Sequence, residues 1–433
     1  MKNKLFKTVD SYMPQLKALS DDIFDHPEIG FEEEYACKLL CDYLKKEGFT
    51  VEIGTGGLPT AFRAEYEQGT GGPVVGFLGE YDALANLGHG CGHHLQTPAA
   101  IGAALAIRDN IKDRPYKLVI YGTPAEETRG GKINMANAGC FKELDMVFSN
   151  HTANTTAGSN NHVALASSVV EWTGTSAHAG GSPEKGRSAL DAMMLAFHGL
   201  ECMREHIRTG SRIHYTILEG TGAANIVHPK ARARVTCRSA DKTYLEDMLR
   251  RMRKVMEGSA LMTETEVKVE HDPMFYDTVI NMALHNAVEK NAELLDVKKL
   301  VHKTEAQINV TGGGATDYGN VSYVCPGVMF YVEYGDNVVA HTPEYVALGK
   351  TQEAFNYLKN CASIMAGVTY DFLYDEEFRT EVTEEYKRRL REKMGHLEGN
   401  LMARVNEAIT VSFGLTANVE RDGRVYTGHE DIG

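Results

Sequence analysis

Short apolar runs alternate with helix-like segments in the first third of the chain, and this alternation restricts the fold more than any other feature. The runs GPVVGFLG (72–79), YKLVIYG (116–122) and LDMVFSN (144–150) are typical of buried strands. The segment TPAAIGAALAIRDNI (97–111) is typical of a helix that packs closely through small residues. Parallel strands joined by helices form sheets with both faces covered. The sequence therefore predicts an α/β fold with a central, mostly parallel sheet flanked by helices.

A different order of elements begins at residue 164. Strand-like and helix-like segments follow one another as strand, helix, strand, strand, helix, strand, which predicts a ferredoxin-like unit. We expect this unit, residues 164–274, to be a second domain inserted into the first, whose two parts are residues 1–163 and 275–393. A chain of 433 residues is also too long for one ordinary core. The extension 394–433 has no predicted role.

Charge and cysteine content exclude several classes of protein. The chain has 45 basic and 59 acidic side chains, a net charge of −14, which argues against non-specific binding of nucleic acid. The first residues lack the apolar run of a signal peptide, and no stretch approaches the roughly 18 apolar residues of a membrane span. Eight scattered cysteines are typical of reduced thiols rather than of a disulfide framework. We therefore expect a cytoplasmic protein that binds neither nucleic acid nor membranes.

Side chains able to bind metal follow four of the predicted strands. In chain order they are Glu80, Asp82, His89, Cys91, His93 and His94, then Glu126 and Glu127, then His151, and finally His341. The carboxyl ends of parallel strands share one edge of a sheet, and ligands bind at that edge. The sequence therefore predicts a Cys/His/Glu/His/His set that holds one or two divalent cations.

Each of these features alone has an ordinary explanation. A lone Cys-x-His is most often not a metal site, a pair of glutamates is most often a solvated surface, and a lone histidine after a strand is most often structural. Their shared position in the predicted topology favours a metal site. A bound cation lowers the pKa of its water and polarises a carbonyl, while one of two adjacent glutamates can act as a ligand and the other as general base. We therefore predict hydrolysis by glutamate-assisted attack of a metal-bound water.

Eight motifs carry a resemblance to a known family. In order they are HPEIGFEEEYACKLL, GHGCGHHL, TPAEE, SNH, SAHAGGSPEKGRSALDAM, AANIVHP, GGATDYGNVSYVCPG and AHTPE. Together they resemble the M20 metallopeptidases of subfamily D, amidohydrolases that include aminoacylases, hippurate hydrolases and IAA-amino-acid hydrolases. The aminobenzoyl-glutamate hydrolases and β-alanyl-dipeptidase-like members are more similar still. The resemblance extends from about residue 15 to about residue 390.

The resemblance implies a role for individual residues. The implied metal ligands are Cys91, His93, Glu127, His151 and His341. Glu126 matches the catalytic base, and Asp82 matches an aspartate that supports the metal site. His178 matches a histidine of the inserted lid domain that stabilises the oxyanion and often reaches the partner's site in family dimers. Asn225 and Arg238 lie in the central hairpin of the lid, where related enzymes bind polar groups of the substrate.

His94 is the one departure from the family pattern. The family usually has Asp after Cys-Gly-His, and the more similar subgroup has Asn. Replacing a group that orients ligands can cost about 10–100-fold in metal affinity or activity. His94 is therefore predicted either to support the ligands as a neutral acceptor or to act as an extra ligand. The thiolate favours zinc, with manganese, cobalt or nickel as alternatives.

The predicted function is metal-dependent hydrolysis of the amide bond of an N-acyl amino acid or unusual dipeptide, such as aminobenzoyl-glutamate-like or β-alanyl-dipeptide-like compounds. The resemblance implies a homodimer formed through the lid domain. The alternative is a catalytically silent metal-binding scaffold or regulatory protein on the same fold.

A nucleophilic role for Cys91 lacks an obvious orienting third group. The loop TGGGATDYG (311–319) lacks the Gly-Lys-Ser/Thr ending of a phosphate loop, so we interpret it as an active-site loop in which Asp317 fixes the backbone.

Overall fold

The computed structural model describes residues 1–220, 222–309, 314–413, 419–421 and 424–426, with backbone only from residue 395 onward. Two compact units are present, Met1–Tyr386 and Lys387–Gly433. The start of the predicted glycine-rich loop, residues 311–313, lies outside the described residues.

Helices and strands alternate over most of the first unit. The described helices are α1 (Lys2–Asp25), α2 (Glu34–Lys46), α3 (Gln96–Asn110), α4 (Gly131–Asn137), α5 (Ala189–Arg204), α6 (Lys242–Thr263), α7 (Met282–Leu294), α8 (Glu305–Ile308), α9 (Tyr318–Ser322), α10 (Pro343–Val346), α11 (Gln352–Tyr374) and α12 (Glu376–Phe413). The described strands are β1 (Thr50–Ile53), β2 (Phe62–Gln68), β3 (Val74–Gly79), β4 (Tyr116–Gly122), β5 (Met146–Ala153), β6 (Ala164–Thr173), β7 (Arg212–Glu219), β8 (Lys230–Ser239), β9 (Glu266–His271), β10 (Gly327–Glu333), β11 (Val419–Arg421) and β12 (Arg424–Tyr426).

A six-stranded sheet forms the centre of the first unit, in the order β1-β2-β4-β3-β5-β10. The pairs β4–β3, β3–β5 and β5–β10 are parallel, whereas β1–β2 and β2–β4 are antiparallel. Helices cover both faces: α1, α3, α7 and α11 pack on one side, and α4 and α9 contribute to the core on the other. The predicted α/β class with a mostly parallel central sheet is confirmed.

Small residues bring the end of β3 close to the start of α3. A Cβ at Gly79 would lie 2.2 Å from the hydroxyl oxygen of Thr97 and 2.7 Å from its Cα. Only glycine permits these approaches, because protein interiors are already close-packed. The close contact holds the segment between β3 and α3 against the carboxyl edge of the sheet.

The second sheet has the order β7-β8-β6-β9 and is antiparallel throughout. Helices α5 and α6 pack on one face, around buried Trp172, whose indole N–H donates to the hydroxyl of Ser259 at 3.1 Å. The predicted ferredoxin-like unit of the lid is confirmed as part of the fold class. The boundaries 1–163, 164–274, 275–393 and 394–433 stay a prediction.

The last part of the chain begins with a long helix. α12 extends to Phe413, and the short strands β11 and β12 pair antiparallel. None of the described helices is both long and apolar enough to cross a membrane.

Candidate metal and catalytic site

The carboxyl edge of the large sheet brings together side chains from four separate strand ends. Their ligand atoms form three overlapping groups, and within each group the atoms lie within 4.8 Å of one another. The groups are Cys91, His93 and His151; Cys91, Glu127 and His341; and His93, Glu126 and Glu127. The five predicted ligands and the predicted base therefore share one location.

Asp82 aligns two members of this cluster. Its Oδ1 lies 2.9 Å from Nδ1 of His93, and its Oδ2 accepts a hydrogen bond of 2.9 Å from the backbone N–H of Glu127. The contact to Nδ1 leaves Nε2 of His93 as the nitrogen on the cluster side of the ring. A carboxylate that holds the second nitrogen of a histidine is the usual support of a metal-binding imidazole.

Two buried atoms of the cluster lack hydrogen bonds. Nε2 of His93 and Oε1 of Glu127 make none with any described residue. Nε2 lies 3.1 Å from Oε2 of Glu80, and Oε1 lies 3.2 Å from Nε2 of His341, but neither contact has hydrogen-bond geometry. Buried polar atoms are normally paired, so a missing partner requires an explanation. A thiol, imidazoles and carboxylates around such atoms fit a divalent cation of the zinc type.

Burial and charge alter the pKa values of the candidate ligands. Burial raises the pKa of the Cys91 thiol to about 12, and burial lowers the pKa of His151. Burial also acts to lower the pKa of His93, but the negative charges of Glu80 and Asp82 outweigh it and raise that pKa well above its ordinary value. A bound cation deprotonates thiols and favours neutral imidazole, so it would reverse the tendencies of Cys91 and His93 and reinforce that of His151.

Unusual backbone conformations position the residues that follow β4 and β10. Ala125, just before the glutamate pair, has φ 62°, and His341 has φ 67°. The carboxylate of buried Glu33 accepts a hydrogen bond from the N–H of Ala125 at 2.8 Å, and the N–H of His341 donates to the carbonyl of Gly90 at 2.9 Å. Such conformations cost about 1–3 kcal/mol each and persist only where the surroundings hold them.

A buried ion network lies beneath the cluster. The ammonium of Lys132 contacts Oε1 of Glu80 at 2.6 Å and Oδ1 of Asp317 at 2.7 Å, and the three side chains are at most 1% exposed. Ligand-capable atoms of Glu80, Asp317 and Glu126 lie within 4.8 Å of one another. Burial and the negative charges of Glu80 and Asp317 raise the pKa of Glu126 well above its ordinary value.

His94 lies next to the cluster but contacts a different set of groups. Its Nε2 lies 3.0 Å from the carbonyl oxygen of Gly349, and its ring centroid lies 4.9 Å from Phe24 and 5.0 Å from His89. Burial lowers the pKa of His94 well below its ordinary value, so the neutral ring donates to Gly349. Among the described residues, the ligand-capable groups do not include His94. Its proposed support of the metal site stays a prediction.

The predicted lid residues separate into two places. Arg238 lines a cavity of about 940 Å³ together with Glu126 and Glu127. His178 and Asn225 are exposed and adjacent, with the N–H of Ala179 donating to the carbonyl of Asn225 at 2.9 Å. Nδ1 of His178 accepts hydrogen bonds from the N–H groups of Gly180 and Gly181, so in the neutral ring the proton is on Nε2.

A second cavity, of about 520 Å³, opens on the other side of the glutamate pair. It is lined by the predicted ligands Cys91, His151 and His341 and by neutral groups that include Asn160, Asn161, His162, Gln307 and Tyr331. Among the described lining residues of the two cavities, His178 and Asn225 do not occur.

Comparison with known proteins decides the family. Residues 77–364 match the model of peptidase family M20/M25/M40. The chain belongs to this family.

Two relatives of the M20 peptidase match over most of both chains. Human Xaa-Arg dipeptidase is 31% identical over 412 residues, which cover 91% of this chain and 93% of the relative. One of the p-aminobenzoyl-glutamate hydrolase polypeptides of Escherichia coli (strain K12) is 31% identical over 441 residues, which cover 85% of this chain and 91% of the relative. The predicted membership and the predicted hydrolase activity on amide bonds are confirmed.

Solved structures show the same fold. The aminobenzoyl-glutamate utilization protein from Klebsiella pneumoniae has a TM-score of 0.68 at 18% identity, covering 86% of this chain and 100% of that one. A dinuclear metal-binding peptidase of the M20 family from Bacillus subtilis has a TM-score of 0.60 at 18% identity, covering 82% of this chain and 98% of that one.

Sequence reasoning missed two residues near the site of this M20 peptidase. Lys132 is the second residue of α4, five residues after Glu127, and a lone lysine near a helix start carries no signal of burial. Glu33 lies nearly a hundred residues before Ala125 in the chain, so only the fold brings them together. Burial raises the pKa of Glu33 to about 7.

Proposed function

We propose that this M20 peptidase hydrolyses the amide bond of an N-acyl amino acid or unusual dipeptide at the cluster on the carboxyl edge of its large sheet, with one or two divalent cations per chain. The observation that carries the proposal is the pair of buried, unpartnered atoms, Nε2 of His93 and Oε1 of Glu127, beside Cys91, His151 and His341. A divalent cation suits a nitrogen and a carboxylate oxygen at once, and the neighbouring thiol and imidazoles are ligands of the same kind of ion.

The proposed ligands are Cys91, His93, Glu127, His151 and His341, with Asp82 holding His93 and the backbone of Glu127. A divalent cation supplies Lewis acidity here, since it polarises a carbonyl and makes water a stronger acid. The thiol and imidazoles favour zinc; manganese, cobalt and nickel suit the same set less well.

Glu126 is the proposed general base. One of its carboxylate oxygens takes the proton of the attacking water, and the same carboxyl group returns it to the nitrogen of the leaving amine. The negative charges of Glu80 and Asp317 favour the protonated intermediate state of Glu126, and Lys132 offsets part of that charge. This balance suits a group that must both accept and release a proton.

His178 is proposed to stabilise the oxyanion from a second copy of the chain. Its Nδ1 accepts two backbone hydrogen bonds, which leaves Nε2 as the donor nitrogen, and it lies on the exposed lid beside Ile226, which is 44% exposed. The edge strand β7 exposes Ile217 and Leu218, an apolar edge that favours pairing with another strand. We therefore propose a homodimer formed through the lid, in which His178 and Asn225 reach the partner's cluster.

A cytoplasmic location is proposed from the cysteines. All eight thiols are free, and five of them are buried, which suits a reducing compartment. Binding of nucleic acid is not part of the proposal, because the net charge is −14. No observation favours the silent scaffold over the enzyme.

The relatives do not decide the leaving amino acid. One is named for an arginine-containing dipeptide and the other for aminobenzoyl-glutamate, and both are 31% identical to this chain. Arginine is cationic and glutamate is anionic, so the two names imply leaving residues of opposite charge.

Elemental analysis paired with an amide-hydrolysis assay tests the proposal. The purified protein is analysed before chelation, after chelation and after reloading with zinc, manganese or cobalt. We expect one or two divalent ions per chain, and hydrolysis of acyl amino acids, aminobenzoyl-glutamate or β-alanyl dipeptides that is lost and regained with them. Absence of tightly held metal, or no turnover of any substrate by the loaded protein, would contradict it.

A further inference from the structure

The two cavities that meet at Glu126 and Glu127 differ in charge. Beyond the glutamate pair, the charged residues that line the larger cavity in the described part of the chain are Arg129, Arg234, Arg238 and Asp272. The described residues that line the smaller cavity beyond the metal cluster are neutral amides, aromatic rings and apolar groups. A substrate with its scissile bond at Glu126 therefore has one cationic and one neutral side to occupy.

Two of the three guanidinium groups in the larger cavity have no side-chain partner among the residues that the structure describes. Arg234 is paired with Asp272 at 2.5 Å. Arg129 and Arg238 form no ion pair or side-chain hydrogen bond with any described residue. Arginine forks bind carboxylates with two parallel hydrogen bonds, so free guanidinium groups beside a catalytic site are receptors for carboxylates.

These two groups belong to opposite walls of the cavity. Arg129 lies in the turn after β4, two residues beyond Glu127, and so belongs to the large sheet. Arg238 lies on β8 of the second sheet, where Ala233, Val235 and Cys237 alternate with it and are buried against α5 and α6. A ligand that pairs each guanidinium group with a separate carboxylate would therefore contact residues from both sheets.

We propose that the larger cavity binds the leaving amino acid and selects one with an acidic side chain, with Arg129 and Arg238 each binding one of its two carboxylates. This inference rests on the proposed hydrolysis of an acyl amino acid. A leaving residue with a basic side chain would place its charge against unpaired guanidinium groups, which a selective site uses to reject the wrong ligand. The acyl group occupies the neutral cavity on the side of His151 and Tyr331.

The test is a charge series with one acyl group joined to glutamate, glutamine or arginine. Wild type is compared with Arg129→Gln and Arg238→Gln, and with Arg232→Gln as the matched control. Arg232 lies on the same strand as Arg238, is paired with Glu171 at 3.3 Å and does not line the cavity in the described residues.

We expect wild type to prefer glutamate over glutamine by about tenfold or more in kcat/KM, and over arginine by more, as expected for charge-assisted hydrogen bonds. Each cavity variant lowers kcat/KM for the glutamate substrate by roughly 10–100-fold. One of the two arginines binds the side-chain carboxylate of glutamate, and the variant that lacks this arginine also loses the preference for glutamate over glutamine. The other arginine binds the α-carboxylate, which every leaving residue has, so the variant that lacks it shows the same loss of kcat/KM for all three substrates. The control stays within about twofold of wild type.

Calorimetry with free glutamate, glutamine and arginine separates this inference from the proposed function. Hydrolysis of all three substrates without charge preference, or with preference for arginine, overturns the inference and leaves the hydrolase standing. Selective binding of glutamate that Arg129→Gln or Arg238→Gln abolishes supports the inference even if no substrate is cleaved. No binding of glutamate together with no hydrolysis overturns both.

Discussion

The carboxyl edge of the large sheet and the exposed tip of the lid carry the two groups of residues that the family resemblance singles out, and they differ in how complete they are. At the sheet edge, Cys91, His93, Glu127, His151 and His341 meet within one chain. At the lid tip, His178 and Asn225 are exposed and lie beside apolar Ile226.

The difference follows from how each region is held. The register of parallel strands and buried hydrogen bonds fix the sheet-edge residues, and Asp82 and Glu33 hold the loops around them. The lid tip is formed by two connections, β6–α5 and β7–β8, and the hydrogen bonds of His178 and Asn225 described there are to backbone groups of the same tip. In the proposed homodimer, the sheet edge is complete within one chain, whereas the lid tip would act only on the site of a second copy.

Glu126→Gln is expected to have the largest effect on activity. The amide cannot take a proton from water, so kcat falls by roughly 10²–10⁴-fold. Metal content stays that of wild type, because Glu127 and not Glu126 is the proposed ligand. The measurement is kcat alongside elemental analysis, and near-normal turnover would assign the base to another residue.

His178→Ala tests whether the lid tip works across a dimer. The variant alone is expected to lose roughly 10²–10³-fold in kcat, as for removal of one oxyanion donor. Co-expression with Glu126→Gln yields mixed dimers in which one site has both residues intact, so roughly a quarter of wild-type activity returns. Mixed dimers without any recovery would show that His178 does not act on the partner's site.

Lys132→Met tests the buried network beneath the sheet-edge cluster. Removing the ammonium leaves Glu80 and Asp317 buried with uncompensated charge, and the free energy of unfolding falls by roughly 3–5 kcal/mol. Lys142→Met, at an exposed lysine after the same helix, serves as control and is expected to change stability by less than about 0.5 kcal/mol. Equal urea denaturation curves for the two variants would be inconsistent with a buried ion network.

Glu33→Gln tests, through the pH dependence of stability, the buried carboxyl group that holds the turn before Glu126. Burial raises the pKa of Glu33 from 4.5 to about 7, so between these values the unfolded chain loses its proton and the folded chain keeps it. The free energy of unfolding of wild type therefore falls as pH rises through this window and levels off above it, by about 3 kcal/mol in total. The glutamine variant lacks this fall. Denaturation of both proteins at pH 4 to 8 measures the difference, and parallel curves would contradict it.

His94→Asn is expected to have the smallest effect at the metal site. The His94 ring donates to the carbonyl of Gly349 and packs on Phe24, away from the ligand groups of the described cluster. Metal affinity is therefore expected to fall by less than about tenfold, below the range for residues that hold ligands. A larger loss in competition with a chelating dye would place His94 among the residues that support the metal.

The sequence was informative about the sheet edge for a physical reason. Short apolar runs indicate buried strands, and polar residues that directly follow them lie at the edge of the sheet where those strands end. The grouping of His151 with Cys91 was therefore predictable without coordinates. The same reasoning did not find Lys132 or Glu33. Both are charged residues of kinds that usually face solvent, and only packing shows that they are buried.

The sequence by itself therefore determined the α/β class, the ferredoxin-like insertion and the set of residues that meet at the sheet edge, because periodicity and strand order are local properties. Only the tertiary structure decided which of the lid residues lie near Glu126. Arg238 lines its cavity, whereas His178 and Asn225 do not among the described residues, since those placements depend on how the two sheets pack and not on the chain's pattern. The tertiary structure also decided the partners of Lys132, because Glu80 and Asp317 are distant from it in the chain and only the fold brings them into contact.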